Sequence, residues 1–379
     1  LNMVKNNKVK FKKVFIFMIN LHFSARQKEI LEKLDEKIKN IELNKNSLMR
    51  LISLYKIESN YEIQDSSLAP YMGVKIQHSD KMIKAFKDTI DDDTDTVCDT
   101  FLGMGGSITA LNNVMKRFKI KNLILGDFNP TTLNLHKNVA ENTEELIDAF
   151  IEVYRTINLK DGNIFKPAQE TLDSLKNTLT VLEKSGQHSN VYASALFMFI
   201  QPLQFGGGYD SRLDENNNLV SKLSSKVIGY PMYFRTIFNS IHKFRKYAKM
   251  YNSYDTVFLN EDYSVIVDNL KGKDNVLFLF DPPYYDTKVQ YHKKNKKDKG
   301  FNQEKLLNKL PSLKFIYTNY KVRDIYDFSN KFNFRIDEKI RTNKISGTDE
   351  VKTEYFITSN NVGYKKNNLQ QEYEVFDLC

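Results

Sequence analysis

The sequence predicts an open α/β domain of nucleotide-binding type, and three stretches carry that expectation. Val97-Cys98-Asp99-Thr100-Phe101-Leu102-Gly103-Met104-Gly105-Gly106-Ser107 places an apolar strand, a glycine-rich turn and a helix start in direct succession. Glycines there permit tight turning and a close ligand approach. Lys121 to Leu125 reads as the next strand and closes on Gly126-Asp127-Phe128-Asn129-Pro130. An acid about 20 residues past the glycines is where a ribose hydroxyl pair finds its acceptor. Far downstream, Val276 to Phe280 is an apolar run of β formers. The prolines of Asp281-Pro282-Pro283-Tyr284 stop it by fixing φ and removing backbone donors.

The chain of 379 residues exceeds what one hydrophobic core usually serves, so a main domain with a second element is expected. With 41% hydrophobic residues a sizeable core is available, and a net charge of +9 favours a polyanionic partner. Cys98 and Cys379 lie far apart without metal-ligand spacing, which implies a reducing, cytoplasmic setting and no zinc site. Val14 to Phe23 follows a lysine-rich start, but Asn20 and His22 interrupt it and it is too short to span a bilayer.

In chain order, Ala25 to about Lys56 reads as one long helix with Leu31, Leu34, Ile38, Ile41, Leu48 and Ile52 at heptad-like spacing. It packs on the body or projects as an arm, with self-association through its seam as the alternative. Tyr71-Met72-Gly73-Val74-Lys75 opens a helix to about Phe86, and the acidic run Asp91 to Asp95 ends that segment. The helix after Ser107 runs to about Phe118. Asp127, taken alone, also reads as a helix cap. Two helical patterns fill 141–185, Tyr192 to Ile200 reads as a buried helix, and Gln201 to Arg212 is a glycine-aromatic loop. A helix over Ser240 to Asn252 sets His242, Lys243, Arg245, Lys246 and Lys249 among Tyr247 and Tyr251, which suits phosphate contacts or a solvated face. Asp262-Tyr263 closes an acidic turn, and the lysines between Lys288 and Lys299 form a cationic segment fit for a DNA strand or for solvent. Late strands are expected over Lys314 to Asn319 and Glu354 to Ser359, with Phe332 to Ile340 as a further candidate.

Asp281 is an acceptor at the carboxyl end of a strand, where open α/β sheets place ligands. The Pro282 carbonyl is rigidly aimed beside it, and Tyr284 offers a flat ring. Together they suit a planar ring bearing an amine.

Asp281-Pro282-Pro283-Tyr284 resembles the catalytic motif of amino methyltransferases acting on DNA bases, and the order of motifs over roughly residues 68 to 360 resembles the Dam-type adenine-N6 methyltransferases. The resemblance implies a Rossmann-like, S-adenosylmethionine-dependent methyltransferase domain over 61–140 and 255–379. It is expected to carry a mainly helical DNA target-recognition insertion over 141–254 and an N-terminal helical extension over 1–60. It implies that Tyr71 and Lys75 lie beside the methionine part of the cofactor, although Val74 replaces a glycine of the family pattern. It assigns Phe101, Gly103, Gly105 and Ser107 to the cofactor loop, with Asp99-Thr100 standing where Glu-Pro is more usual. Asp127 would take the ribose, and Asp262 and Tyr263 would flank the cofactor adenine. Asp281, Pro282, Pro283 and Tyr284 are the implied catalytic group, and Gly207 and Arg212 fall in a DNA-contacting stretch. Lys243, Arg245 and Lys246, with Lys293, Lys294, Lys296 and Lys297, are expected on phosphates. The expected reaction is methyl transfer to the exocyclic amine of adenine in duplex DNA, without a metal. Cytosine-N4 methylation and a non-catalytic DNA-binding protein of the same fold remain as alternatives.

Overall fold

The computed structural model describes residues 67–69, 78–156, 169–203, 210–213, 219–222, 234–285, 301–345 and 348–360. The helix expected over Ala25 to Lys56, together with Tyr71, Lys75, Gly207, Lys293, Lys294, Lys296 and Lys297, lies outside them.

Helix α1 (Ser79–Thr89) precedes β1 (Thr96–Asp99), α2 (Gly106–Arg117), β2 (Asn122–Gly126) and α3 (Pro130–Glu141). Asn129 starts α3 by accepting from the amides of Thr131 and Thr132, and Pro130 at the first helical position lacks an N–H that would need a partner. Next come α4 (Thr143–Thr156), α5 (Gln169–Lys184), α6 (Val191–Ile200), the hairpin β3 (Asp210–Leu213) and β4 (Leu219–Lys222), and α7 (Phe234–Tyr251). The last third contains β5 (Asp255–Leu259), α8 (Tyr263–Leu270), β6 (Val276–Phe280), α9 (Gln303–Leu307), β7 (Phe315–Tyr320), α10 (Arg323–Lys331), β8 (Arg335–Ile345) and β9 (Thr348–Thr358).

Seven strands form one sheet in the order β5-β2-β1-β6-β7-β9-β8. The first five are parallel, β9 runs antiparallel to β7, and β8 runs antiparallel to β9. From β1 the chain steps outward through β2 to β5, then crosses to β6 on the other side of β1 and steps outward again. The direction of winding therefore reverses between β1 and β6, which opens a crevice at their carboxyl ends. This is a Rossmann-like sheet.

Strand alternation divides the core into two layers. Val97, Leu277 and Leu279 face one side with Leu123 and Leu125, while Cys98, Phe278 and Phe280 face the other with Tyr317 and Ile357. All five residues of β6 are buried, as expected of a strand covered on both faces. Helices α2 to α7 share the first layer, and α8 to α10 cover the second.

The described residues between 141 and 254 form helices and one hairpin, and the helices pack into the same core as β1 and β2. Helix α6 is its centre, with every residue from Ala193 to Ile200 buried. No helix among the described residues is long and apolar enough to cross a membrane.

Candidate active site

The loop after β6 is held by a network that its own four residues do not reveal. The Thr318 hydroxyl on β7 donates to Asp281 Oδ1 at 2.7 Å. Gln303, at the start of α9, donates to the Pro283 carbonyl, and its own Oε1 accepts from the Tyr317 hydroxyl at 3.1 Å. Asn319 Oδ1 accepts from the Tyr285 amide at 3.0 Å, and its amide group donates to Tyr317 at 2.7 Å. Each short polar side chain on β7 therefore fixes one point of the loop. Among the described residues nothing donates to the Pro282 carbonyl, which keeps its lone pairs as an acceptor. The Tyr284 ring meets Tyr320 edge-on, with centroids 4.6 Å apart, and its hydroxyl is enclosed. Burial, aided by the nearby Asp281, raises that phenol well above its usual range.

Beside this loop, across the parallel pairing of β1 and β6, lies the glycine-rich turn. The Thr100 amide donates to the Leu279 carbonyl at 3.4 Å, so the two loops leave the sheet as neighbours. Gly103 and Gly105 have φ of +49° and +72°, which side chains disfavour. Asp127, at the end of β2, accepts from the Gly103 amide and from the Asn129 amide, each at 2.8 Å. Burial pushes its carboxyl up to about 6 despite those donors. The Asn260 side chain donates to the Asp127 and Phe128 carbonyls, which ties the end of β5 to the same turn. Phe101 lies against Tyr263 with centroids 5.3 Å apart, and Phe301 closes the cluster at 5.5 Å from each. Two buried oxygens in this region, Thr100 Oγ1 and the Tyr263 hydroxyl, have no hydrogen-bond partner among the described residues. Buried polar atoms are normally satisfied, so a ligand with polar groups suits this place.

The fold thus brings Asp281 to Tyr284, Phe101 to Gly105, Asp127 and Tyr263 to one edge of the sheet. Ser107 is buried in the first turn of α2. Asp262 caps α8, its Oδ1 accepting from the Ser264 amide at 2.8 Å and from the Ser264 hydroxyl. Arg212 lies in β3.

The basic helix requires a correction. Lys243 was expected on phosphate, but its ammonium turns inward and donates to the carbonyls of Ser67 at 2.8 Å and Leu68 at 3.4 Å. Burial lowers its pKa to about 8. Tyr247 and Tyr251 are core residues, each 1% exposed. Positions 243, 247 and 251 recur every four residues on one stripe of α7, and that stripe faces the core. Arg245 pairs at the surface with Glu144 at 2.9 Å, an exposed contact worth about 0–1 kcal/mol that a phosphate can replace.

Sequence reasoning did not single out Thr318, Asn319, Gln303, Asn260 or His136. The first two sit on a strand that sequence predicted, yet nothing local shows that this strand pairs with β6. No cluster of metal-ligating side chains occurs among the described residues.

No curated protein matches the chain. Among solved structures, the rRNA methyltransferase AviRa from Streptomyces viridochromogenes is similar at 14% identity, covering 79% of this chain and 94% of that one with a TM-score of 0.34, a likeness too loose to bear on the chemistry. The profile of the D12 class N6 adenine-specific DNA methyltransferases matches residues 71–345. That span takes in both loops, the strands that carry them and the helices between, and the chain belongs to the D12 class N6 adenine-specific DNA methyltransferase family.

Proposed function

We propose that this chain methylates adenine N6 in duplex DNA by gripping the target amine with Asp281 and the Pro282 carbonyl, while the Gly103–Gly105 turn and Asp127 hold the methyl donor. Enzymes of this family generally use S-adenosylmethionine. The observation that carries the reading is the adjacency of the two loops at the switch point of the sheet.

The chain's residues fit that cofactor. Asp127 retains lone pairs for ribose hydroxyls beyond the two amides it accepts, and Thr100 and Tyr263 offer polar atoms that have no partner among the described residues. When bound, the cofactor supplies an electrophilic methyl group. The adenine amine is a poor nucleophile because its lone pair is delocalised into the ring. Two acceptors on its hydrogens, Asp281 and the Pro282 carbonyl, favour tetrahedral nitrogen and so free that lone pair. The hydrogen bond from Thr318 and the grip of Gln303 on Pro283 hold these acceptors before the base arrives. An adenine stacked in a duplex cannot reach the loop, so it is turned out of the helix, with the Tyr284 ring to stack on.

Duplex DNA incubated with the chain and S-adenosylmethionine, then digested to nucleosides, should yield N6-methyldeoxyadenosine by mass analysis. N4-methyldeoxycytidine, or no methylated nucleoside, would overturn the assignment.

Two expectations extend this reading. Thr318→Val keeps the shape of the side chain but removes the donor to Asp281. It should slow single-turnover methyl transfer by about 1.5–3 kcal/mol, the scale of a hydrogen bond to a charged group, with cofactor affinity unchanged. A wild-type rate would mean that Asp281 needs no support. Lys293, Lys294, Lys296 and Lys297 are proposed to follow the phosphate backbone. Replacing all four by Gln should weaken every DNA sequence alike and flatten the dependence of affinity on salt, whereas an unchanged slope would remove them from the interface.

A further inference from the structure

Gly103 is held at both of its polar atoms. Its amide donates to Asp127 Oδ2, and its carbonyl accepts from His136 Nε2 at 2.8 Å. A carbonyl only accepts, so the His136 proton resides on Nε2. The bare Nδ1 then accepts from the Tyr251 hydroxyl at 2.6 Å. One turn away on the same stripe of α7, the Tyr247 hydroxyl accepts from Thr109 at 2.5 Å and lies 3.3 Å from the Gly105 carbonyl. The rings also press on the turn directly. A Cβ at Gly105 would come within 2.9 Å of the Tyr247 ring and 3.0 Å of the His136 ring. His136 is fully buried, and burial lowers its pKa to about 4, so it stays neutral and keeps this tautomer near neutral pH.

We propose that His136, oriented by Tyr251, is a positioning residue for the methyl donor: it holds Gly103 in its left-handed shape from beneath, so that the turn is formed before the cofactor arrives. This rests on the reading of the glycine turn as the cofactor site. Helix α7 thereby reaches the cofactor turn through Tyr247 and Tyr251, although it lies in the segment expected to recognise DNA. A backbone carbonyl that loses its buried donor must rotate toward another partner, and Gly103, lacking a side chain, offers little resistance to that rotation.

The test is calorimetric binding of S-adenosylmethionine, and of its demethylated product, to the full chain, with thermal unfolding followed in parallel. His136→Leu should weaken both ligands by about tenfold or more, as expected when a buried hydrogen bond is lost. His136→Gln, which can again donate to the Gly103 carbonyl, should recover most of the affinity. Saturating cofactor should restore the single-turnover rate of His136→Leu, so that KM for the cofactor moves and kcat does not. Val139→Ala, one turn along α3 and equally buried, is the control for a softened core and should lower Tm with affinity retained. If His136→Leu does not fold, Tyr251→Phe decides, since it removes only the hydroxyl that orients the imidazole and should still weaken binding several-fold. Wild-type affinity in the His136 and Tyr251 variants, with Asp127→Ala weakened, would overturn the positioning role and leave the cofactor site standing. An equal loss in Val139→Ala would overturn it in favour of general core softening. Wild-type affinity in Asp127→Ala as well would overturn the cofactor reading itself.

Discussion

Asp281→Ala is expected to abolish methyl transfer while cofactor affinity stays within a few fold. Asp281 sits on the β6 loop, whereas the groups assigned to the cofactor leave from β1, β2 and β5, so the two functions separate by element. Loss of one preorganised group acting on the reacting atom costs on the order of 10²–10³ in rate, and Asp281 is one of only two acceptors proposed for the amine. Single-turnover transfer to a duplex, with cofactor binding measured separately, reads both effects. Substantial turnover by the variant would contradict the role. The same assay examines Tyr284. Tyr284→Ala should cost about 1–3 kcal/mol of stacking on the extruded base, and less when the adenine sits opposite a mismatch, where extrusion is cheaper. Since the Tyr284 ring also packs on Tyr320, Tm must be followed alongside, and Tyr284→Phe should retain both the stacking and that contact. An identical Tyr284→Ala defect on matched and mismatched duplexes would count against base stacking.

The second large effect concerns Asp127 and has a pH signature. Burial raises its carboxyl to about 6, but ribose hydroxyls are best accepted by the ionised form. Cofactor binding should therefore favour ionisation and release a proton below that value. Wild-type affinity is expected to be flat above about pH 7 and to fall by up to about tenfold per pH unit once well below the free-state pKa. Asp127→Ala should lose about 1–3 kcal/mol of affinity at neutral pH, part of it through the freed Gly103 amide, and should lack this acid slope. The sign for folding is opposite. A carboxyl whose folded pKa lies above its unfolded one favours the folded state as pH falls from about 6 toward the ordinary carboxyl value of 3.8, so acid weakens binding in this window without Asp127 weakening the fold. Titration calorimetry in buffers of different ionisation enthalpy measures the released proton. A pH-independent affinity down to pH 5 would sever Asp127 from the cofactor.

What the sequence by itself determined is local. Strand β6 and its abrupt end follow from five apolar β formers and two prolines, and the first βα unit follows from a strand meeting glycines at the positions where φ is positive. The buried helix α6 is legible because apolar residues surround it. The tyrosine stripe on α7 was legible in principle, because a spacing of four residues puts Lys243, Tyr247 and Tyr251 on one face, but composition alone assigned that helix to solvent or phosphate. Strand β5 escaped because an edge strand with Val257 half exposed lacks the apolar run of a central one. Only the tertiary structure decided the rest. Asp281 meets Thr318 because β6 pairs with β7, and the glycine turn lies beside Asp281 because β6 pairs with β1, from which some 180 residues of chain separate it. His136 reaches Gly103 only because α3 and α7 pack beneath the turn. Hydrogen bonds between residues so far apart leave no periodicity in the sequence, since their geometry is set by strand pairing and helix packing and not by spacing along the chain.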